Sequence, residues 1–156
     1  MKAESLEQAL SHMASLCSAS EHCESEIRER LQKAGMSATD IQRVVDRLYD
    51  ERYLDTTRFC RAFSRDKLRF THWGRMKIQQ ALRMKGLPDN DIREALEALP
   101  EDEYRQILVL LLRQKARTLT DTDPYIRRGK LLRFATNRGF TPEEILECES
   151  ENSDVS

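Results

Sequence analysis

The stretch Ile78–Ile92, IQQALRMKGLPDNDI, occurs in three versions along this chain of 156 residues. The other two versions are 27–41, IRERLQKAGMSATDI, and 131–145, LLRFATNRGFTPEEI. Each contains one aligned glycine, and these glycines, Gly35, Gly86 and Gly139, are 51 and 53 residues apart. A regular spacing of this size indicates a tandem array of similar supersecondary units, and such arrays usually present extended binding surfaces.

Each version predicts the end of one helix, a tight turn and the start of another helix. The glycine closes the first helix because it adopts the left-handed conformation without a side-chain penalty. After the turn, Ser37 and Thr141 can accept a hydrogen bond as helix N-caps, and Pro88 suits a first helical turn. A third helix is predicted upstream of each pair, at about 4–18, 55–69 and 102–118.

The sequence therefore predicts an all-α fold, in which three tandem three-helix repeats form an elongated, curved array. The predicted boundaries are 1–54, 55–100 and 101–149 for the repeats, and 150–156 for a disordered acidic tail. The tail is expected because Ser, Glu and Asp follow Glu147 without a periodic apolar face. Charged residues make up 34% of the chain, and only five glycines and four prolines occur, which suits helices around small cores.

Several functional classes are disfavoured by the sequence. The longest apolar run, 107–112, is far too short to cross a bilayer, and no secretory signal precedes it. We therefore expect a cytoplasmic monomer without membrane contact. No phosphate-binding glycine loop or nucleophile elbow occurs, and the three histidines lack catalytic spacing, so an enzyme is not predicted.

The four cysteines favour a structural role over a chemical one. In a cytoplasmic chain they are expected to be reduced thiols, and Cys17 and Cys60 should fill helix interfaces. The nearby residues His12, His22 and Cys23 do not give a familiar zinc spacing with Cys17. No metal and no cofactor are therefore predicted.

Charge is distributed in alternating blocks, although the net charge is only −1. Residues 55–87 hold nine basic and two acidic residues, a net of +7, and residues 125–138 hold five basic and no acidic residues. The blocks 1–54, 88–124 and 139–156 carry net charges of −3, −4 and −6. Uncompensated positive charge disfavours the free protein, so we expect an anionic partner.

The positive blocks coincide with particular helices of repeats 2 and 3. Arg75 and Lys77 precede Gly86 by the same intervals as Arg128 and Lys130 precede Gly139, whereas repeat 1 has glutamates there. Trp73, the only tryptophan, could stack on a base, anchor an interface or fill a gap between helices. The predicted partner- or DNA-binding residues are Arg58, Arg61, Arg65, Arg69, Trp73, Arg75, Lys77, Arg83, Lys85, Arg127, Arg128, Lys130 and Arg133.

The first four of these arginines follow steps of three, four and four residues, which places them along one side of the predicted helix 55–69. A charged stripe of this kind is often only the solvated face of a helix. The binding hypothesis therefore requires that these cations face outward without neutralising carboxylates from the same chain.

The segment Leu48–Leu87, LYDERYLDTTRFCRAFSRDKLRFTHWGRMKIQQALRMKGL, resembles the RecX family of RecA regulators. Its first half, around Tyr53-Leu54-Asp55, is similar to the family segment G-Y-L-D-D-x-R-F-A-x-x-F. Its second half, beginning at Gly74, is similar to G-x-x-x-I-x-x-x-L-x-x-K-G-[IVL]. Arg52 stands where the family segment has glycine, and Thr56 stands where it has a second acid.

This resemblance implies the same tandem three-helix fold and, in addition, a function. RecX-like proteins bind the RecA–single-stranded-DNA filament and inhibit or modulate its ATPase, strand exchange and coprotease activities, which affects DNA recombination, repair and the SOS response. The resemblance implies RecA as the partner. The residues themselves indicate only an anionic groove, and direct binding to single- or double-stranded DNA stays open.

Two other functional classes remain open at this point. A stand-alone nucleic-acid-binding module would present the arginines to a groove through a helix-turn-helix, and its binding would depend steeply on salt. A general helical scaffold would instead bind protein partners and be insensitive to DNA.

Overall fold

This computed structural model describes residues 5–151, and within that range it is built from helices, without a β-strand. The α-helices there are α1 (Leu6–Ala19), α2 (Glu24–Lys33), α3 (Ala38–Asp50), α4 (Thr56–Asp66), α5 (Arg75–Met84), α6 (Asp89–Glu97), α7 (Glu101–Thr118), α8 (Pro124–Asn137) and α9 (Pro142–Glu151). They form the predicted succession of three-helix repeats, α1–α3, α4–α6 and α7–α9, which we call repeats 1, 2 and 3. The all-α repeat fold is confirmed.

The repeated glycines close α2, α5 and α8 by one mechanism. Gly35, Gly86 and Gly139 have φ of +84°, +82° and +100°. In the first turn, the N–H of Gly35 donates to the carbonyl of Gln32, and the N–H of Met36 donates to the carbonyl of Leu31. The other two turns repeat this pair of hydrogen bonds, which defines the Schellman motif.

Side-chain caps begin the following helices largely as predicted. Ser37 Oγ accepts from the N–H of Asp40 at 3.2 Å. Thr141 and Glu144 form a reciprocal capping box, with hydrogen bonds of 2.8 and 3.1 Å. The placement of Pro88 in a first helical turn is wrong by one residue, because Pro88 is the extended N-cap of α6.

Two segments differ from their predicted form. The helix expected over 55–69 ends at Asp66 and continues as a π-helical turn, Lys67–Thr71, which we call the π-turn. The loss of order expected from Glu147 is wrong over the last turns of α9, where Cys148 is only 3% exposed and joins the core. Of the predicted tail 150–156, residues 152–156 lie outside the described residues.

The buried apolar side chains form two separate cores. One core belongs to repeat 1 and joins residues of α1, α2 and α3, with Cys17 among them. The other core is shared by repeats 2 and 3, running from Phe59 and Cys60 in α4 to Cys148 in α9. Cys23, the N-cap residue of α2, inserts into this second core from repeat 1. The expected packing role of Cys17 and Cys60 is confirmed.

Candidate partner-binding surface

The first turn of α5 meets the last turn of α8 through a close backbone contact. The N–H of Gly74 donates to the carbonyl of Arg138 at 2.7 Å, and the N–H of Met76 donates to the carbonyl of Gly139 at 3.0 Å. A Cβ on Gly74 would lie 2.5 Å from the carbonyl carbon of Gly139, so a side chain there would force the backbones apart. The middle helices of repeats 2 and 3 are thereby joined end to end.

Arg75, predicted to lead the binding surface, is a structural residue that ties repeat 2 to repeat 3. Its guanidinium lies 2.7 Å from Glu101 and 3.2 Å from Glu144, and its Nε donates to the carbonyl of Leu96 at 3.1 Å. The guanidinium also stacks on the ring of Tyr104, 4.0 Å from the centroid, and only 21% of the side chain is exposed. Burial raises the pKa of Tyr104, so its hydroxyl stays protonated.

The arginine stripe, which runs from α4 into the π-turn at Arg69, does not meet the requirement of unpaired cations. Three of its four members reach carboxylates elsewhere in the chain: Arg58 pairs with Glu21 in the loop after α1, Arg61 with Glu94 and Arg69 with Glu103. The hydrogen bond from Arg69 lowers the pKa of Glu103, which keeps that carboxylate ionised. The expectation that the basic segments lack acidic partners is therefore wrong, because the partners come from the acidic blocks before and after them.

The same correction applies to most of the other predicted cations. Further pairs are Arg83–Asp89 at 3.4 Å, Lys85–Glu26 at 4.0 Å, Arg128–Glu149 at 2.9 Å and Lys130–Asp121 at 2.6 Å. Arg127 instead donates to the carbonyls of Ala116, Leu119 and Asp121, which fixes the connection between α7 and α8. Its role is to hold this loop in place.

Three predicted cations, Arg65, Lys77 and Arg133, have no carboxylate within 4.0 Å in the described part of the chain. Arg83 and Arg128 remain more than half exposed despite their pairing. Exposed ion pairs contribute about 0–1 kcal/mol, so an anionic partner can compete with them. The cations available to a partner are thus concentrated on α5 and α8, with Arg65 apart from them on α4.

Most of the large exposed apolar side chains in the described residues lie on the same two helices. Tyr125 and Met84 are each 85% exposed, Met76 is 54% exposed, and Ile126 and Leu132 are 45% and 38% exposed. Neither helix contains an acidic residue. We call the outer faces of α5 and α8 together the α5–α8 surface. A count of charges along the sequence does not reveal these apolar residues. In α8, however, apolar residues also occur outside the buried face formed by Leu131 and Ala135, and this pattern indicates that some of them are exposed.

A cleft joins the two halves of this surface. Its lining residues are Met76, Lys77, Gln79, Gln80 and Arg83 from α5, with Thr136, Asn137 and Gly139 from the end of α8. A second depression continues along α8, lined by Tyr125, Ile126, Gly129, Leu132 and Arg133 among others. Apolar side chains, cations and side-chain amides therefore alternate along the α5–α8 surface.

Trp73 lies beside this surface, half-buried against the core of repeats 2 and 3. Lys67 and Lys77 place their ammonium groups 4.6 and 4.9 Å from its ring centroid. In the described residues, no cluster of three or more His, Cys, Asp and Glu is arranged to hold a metal. None of the helices over 5–151 has the length and apolar composition of a membrane span.

Comparison with known proteins places these helices in a family. The model of the RecX first three-helix domain matches residues 9–48, and that of the second three-helix domain matches residues 55–96. Regulatory protein RecX of Chlorobaculum tepidum is 32% identical over 139 residues, which cover 89% of this chain and 84% of that protein. Regulatory protein RecX of Prosthecochloris aestuarii is 36% identical over 125 residues, covering 80% of each chain.

Solved structures share the fold at lower identity. The crystal structure of RecX from Lactobacillus salivarius matches with a TM-score of 0.85 and 16% identity, covering 95% of this chain and 96% of that one. A further crystal structure of regulatory protein RecX matches with a TM-score of 0.83 and 20% identity, covering 93% and 71%. At these identities the likeness establishes the common fold.

Proposed function

The chain belongs to the RecX family of regulatory proteins, and from this premise we propose that it binds the RecA–single-stranded-DNA filament and inhibits its ATPase, strand exchange and coprotease activities. The α5–α8 surface carries this proposal. It combines exposed Tyr, Met and Ile side chains with cations and lacks acidic residues. Tyr, Met and Arg are the residues enriched at protein interfaces, and the positive charge suits an anionic filament.

The dimensions of this surface support a role in restraining a filament. Helices of 14 and 10 residues, joined end to end, extend about 21 and 15 Å at 1.5 Å per residue. Each helix alone is shorter than the roughly 30 Å diameter of a small domain, whereas the summed length of the pair, about 36 Å, exceeds it. A ligand of this length can contact neighbouring subunits across their boundary and oppose the movement between them that accompanies ATP hydrolysis.

The decisive experiment is a time course of RecA ATPase on single-stranded DNA with this protein at low molar ratio. We expect the wild type to slow hydrolysis. The double variant Tyr125→Ala/Arg133→Glu should require at least about tenfold more protein, because Tyr and Arg are enriched among interface hot spots, whose loss costs about 2 kcal/mol or more, and about 1.4 kcal/mol is a factor of ten. Both side chains are exposed, so the variant should fold normally.

The matched control is Leu146→Ala/Arg30→Glu, which makes the same kinds of change on α9 and α2. We expect this control to inhibit like the wild type. Undiminished inhibition by the Tyr125/Arg133 variant would remove the α5–α8 surface from the proposal. A wild-type protein without effect on RecA would contradict the proposed function itself.

A further inference from the structure

The ammonium groups of two lysines from different elements converge on Trp73. Lys67 belongs to the π-turn and Lys77 to α5, and each Nζ lies within 5 Å of the indole centroid. Lys67 Nζ also lies 5.4 Å from the ring of Phe63. Across the described residues, neither Nζ has a carboxylate within 4.0 Å, whereas neighbouring Arg69 is bound by Glu103. Two cations placed at one ring without a carboxylate counter-ion favour the binding of an anion nearby.

The π-turn that carries Lys67 also carries an exposed aromatic ring. Phe70 is 79% exposed, although Trp73, three residues later in the chain, is half-buried. The turn ends at His72 with φ of +58°, and Arg138 donates to the carbonyl of Thr71 at 3.2 Å. The ring of Phe70 is therefore displayed on a fixed turn. Single π-turns within helices are frequent at functional sites.

Lys77 connects this group of side chains to the cleft of the α5–α8 surface. The cleft continues from Lys77 along amides and hydroxyls of Gln79, Gln80, Thr136 and Asn137. An aromatic face, adjacent cations and a run of hydrogen-bonding groups are the elements that bind unpaired nucleotides. A duplex is a poorer ligand, because its bases stack on one another and do not expose their faces.

We propose that Phe70, Lys67, Trp73 and Lys77 form a direct binding site for single-stranded DNA, with Phe70 stacking on a base and the two lysines binding the adjacent phosphates. We call these four residues the aromatic–lysine site. It rests on the proposed function in that the ligand it takes, single-stranded DNA, is the strand that a RecA filament contains. Its chemistry needs no RecA, however, and it can be tested on the isolated protein.

The test measures anisotropy of a labelled twenty-nucleotide oligo(dT) titrated with the full chain in the absence of RecA. Trp73 is the only tryptophan, so quenching of its fluorescence must follow the same binding curve. Phe70→Ala should weaken binding about tenfold, because one base–aromatic stack is lost. The double variant Lys67→Ala/Lys77→Ala should reduce the slope of log affinity against log salt by about 1.4, since two phosphate contacts disappear.

Leu146→Ala and Lys33→Ala are the controls, each an exposed residue outside the site, and both should bind like the wild type. A duplex of equal length should bind more weakly and leave Trp73 unquenched. Equal binding by Phe70→Ala, or no binding of oligo(dT), would overturn the site. The RecA ATPase assay separates the two proposals: inhibition retained by a protein that does not bind oligo(dT) contradicts only this inference, and oligo(dT) binding without inhibition contradicts only the proposed function.

Discussion

Gly35 and Gly139 hold the same position in their repeats, with φ of +84° and +100°, but their surroundings differ. No atom would lie within 4 Å of a Cβ on Gly35. A Cβ on Gly139 would lie 2.5 Å from Lys77 Cβ and 2.6 Å from its backbone N, at the α5–α8 junction. Repeat 3 therefore needs its glycine both for the turn and for contact with repeat 2.

This contrast predicts a graded series of alanine substitutions. Gly35→Ala should cost about 1 kcal/mol, the penalty of a left-handed non-glycine residue. Gly139→Ala should cost about 3 kcal/mol, because crowding adds to that penalty. Gly129→Ala, in the middle of α8 with open space around it, should stabilise by about 0.5–1 kcal/mol. Urea unfolding at constant m-value measures all three, and equal costs at Gly35 and Gly139 would contradict the junction.

Arg52 extends the same argument to a position where glycine is missing. The family segment has glycine here, and Arg52 adopts φ of +62°, a conformation that is uncommon for a residue with a side chain. Its carbonyl accepts from Arg58 at 3.2 Å, which holds the turn before α4. Arg52 therefore adopts the left-handed conformation that a glycine reaches without penalty, at an energetic cost of the kind that Gly35→Ala would show.

At the scale of elements, Arg75 is the residue that fixes how α5, α6, α7 and α9 meet. Its side chain is largely buried, and it satisfies carboxylates of α7 and α9 together with a carbonyl at the end of α6. Removing one partner of a buried charge group leaves the remaining charges uncompensated. The group of Arg75 and its partners therefore stabilises the packing of these helices only while all its members are present.

We predict that Arg75→Met lowers the free energy of unfolding by about 3 kcal/mol, because Glu144, as largely buried as Arg75, is left without this partner. Arg65→Met, on the exposed face of α4, should change it by less than about 0.5 kcal/mol. Chemical denaturation followed by circular dichroism compares the two. A cost at Arg75 no larger than that at Arg65 would show that the guanidinium contacts are not structural.

Local features of the elements were predictable from the sequence, and distant contacts were not. The glycine turns and the Ser37 and Thr141 caps depend on residues within six positions of each other, so the chain displays them directly. The pair Arg58–Glu21 joins residues 37 apart, and Arg75–Glu144 joins residues 69 apart. Charge blocks in the sequence do not reveal which residues folding brings together, so the sequence predicts an unpaired, partner-binding stripe where the structure has ion pairs between distant parts of the chain.

At the scale of the whole molecule, the division into two cores sets the order of unfolding. Repeat 1 encloses its own core, while repeats 2 and 3 share one. Between repeat 1 and the rest, the contacts include the insertion of Cys23 and the ion pairs Arg58–Glu21 and Lys85–Glu26. Ion pairs at the surface contribute little. Repeat 1 should therefore open without unfolding repeats 2 and 3.

Equivalent leucines of repeats 1 and 2 test this division. Leu31 and Leu82 both lie four residues before the turn glycine, and at most 1% of the surface of each is exposed. Substitution of either leucine by alanine should lower the free energy of unfolding of the core in which it lies by about 2–5 kcal/mol. Native-state hydrogen exchange should show Leu31→Ala accelerating exchange in α1–α3 alone, because the second core is untouched. Leu82→Ala should accelerate exchange across α4–α9, since repeat 3 depends on the core that repeat 2 helps to form. If Leu82→Ala left the amides of α7–α9 as protected as before, repeats 2 and 3 would be independent units. The α5–α8 surface would then lack the shared core that keeps its two halves in register.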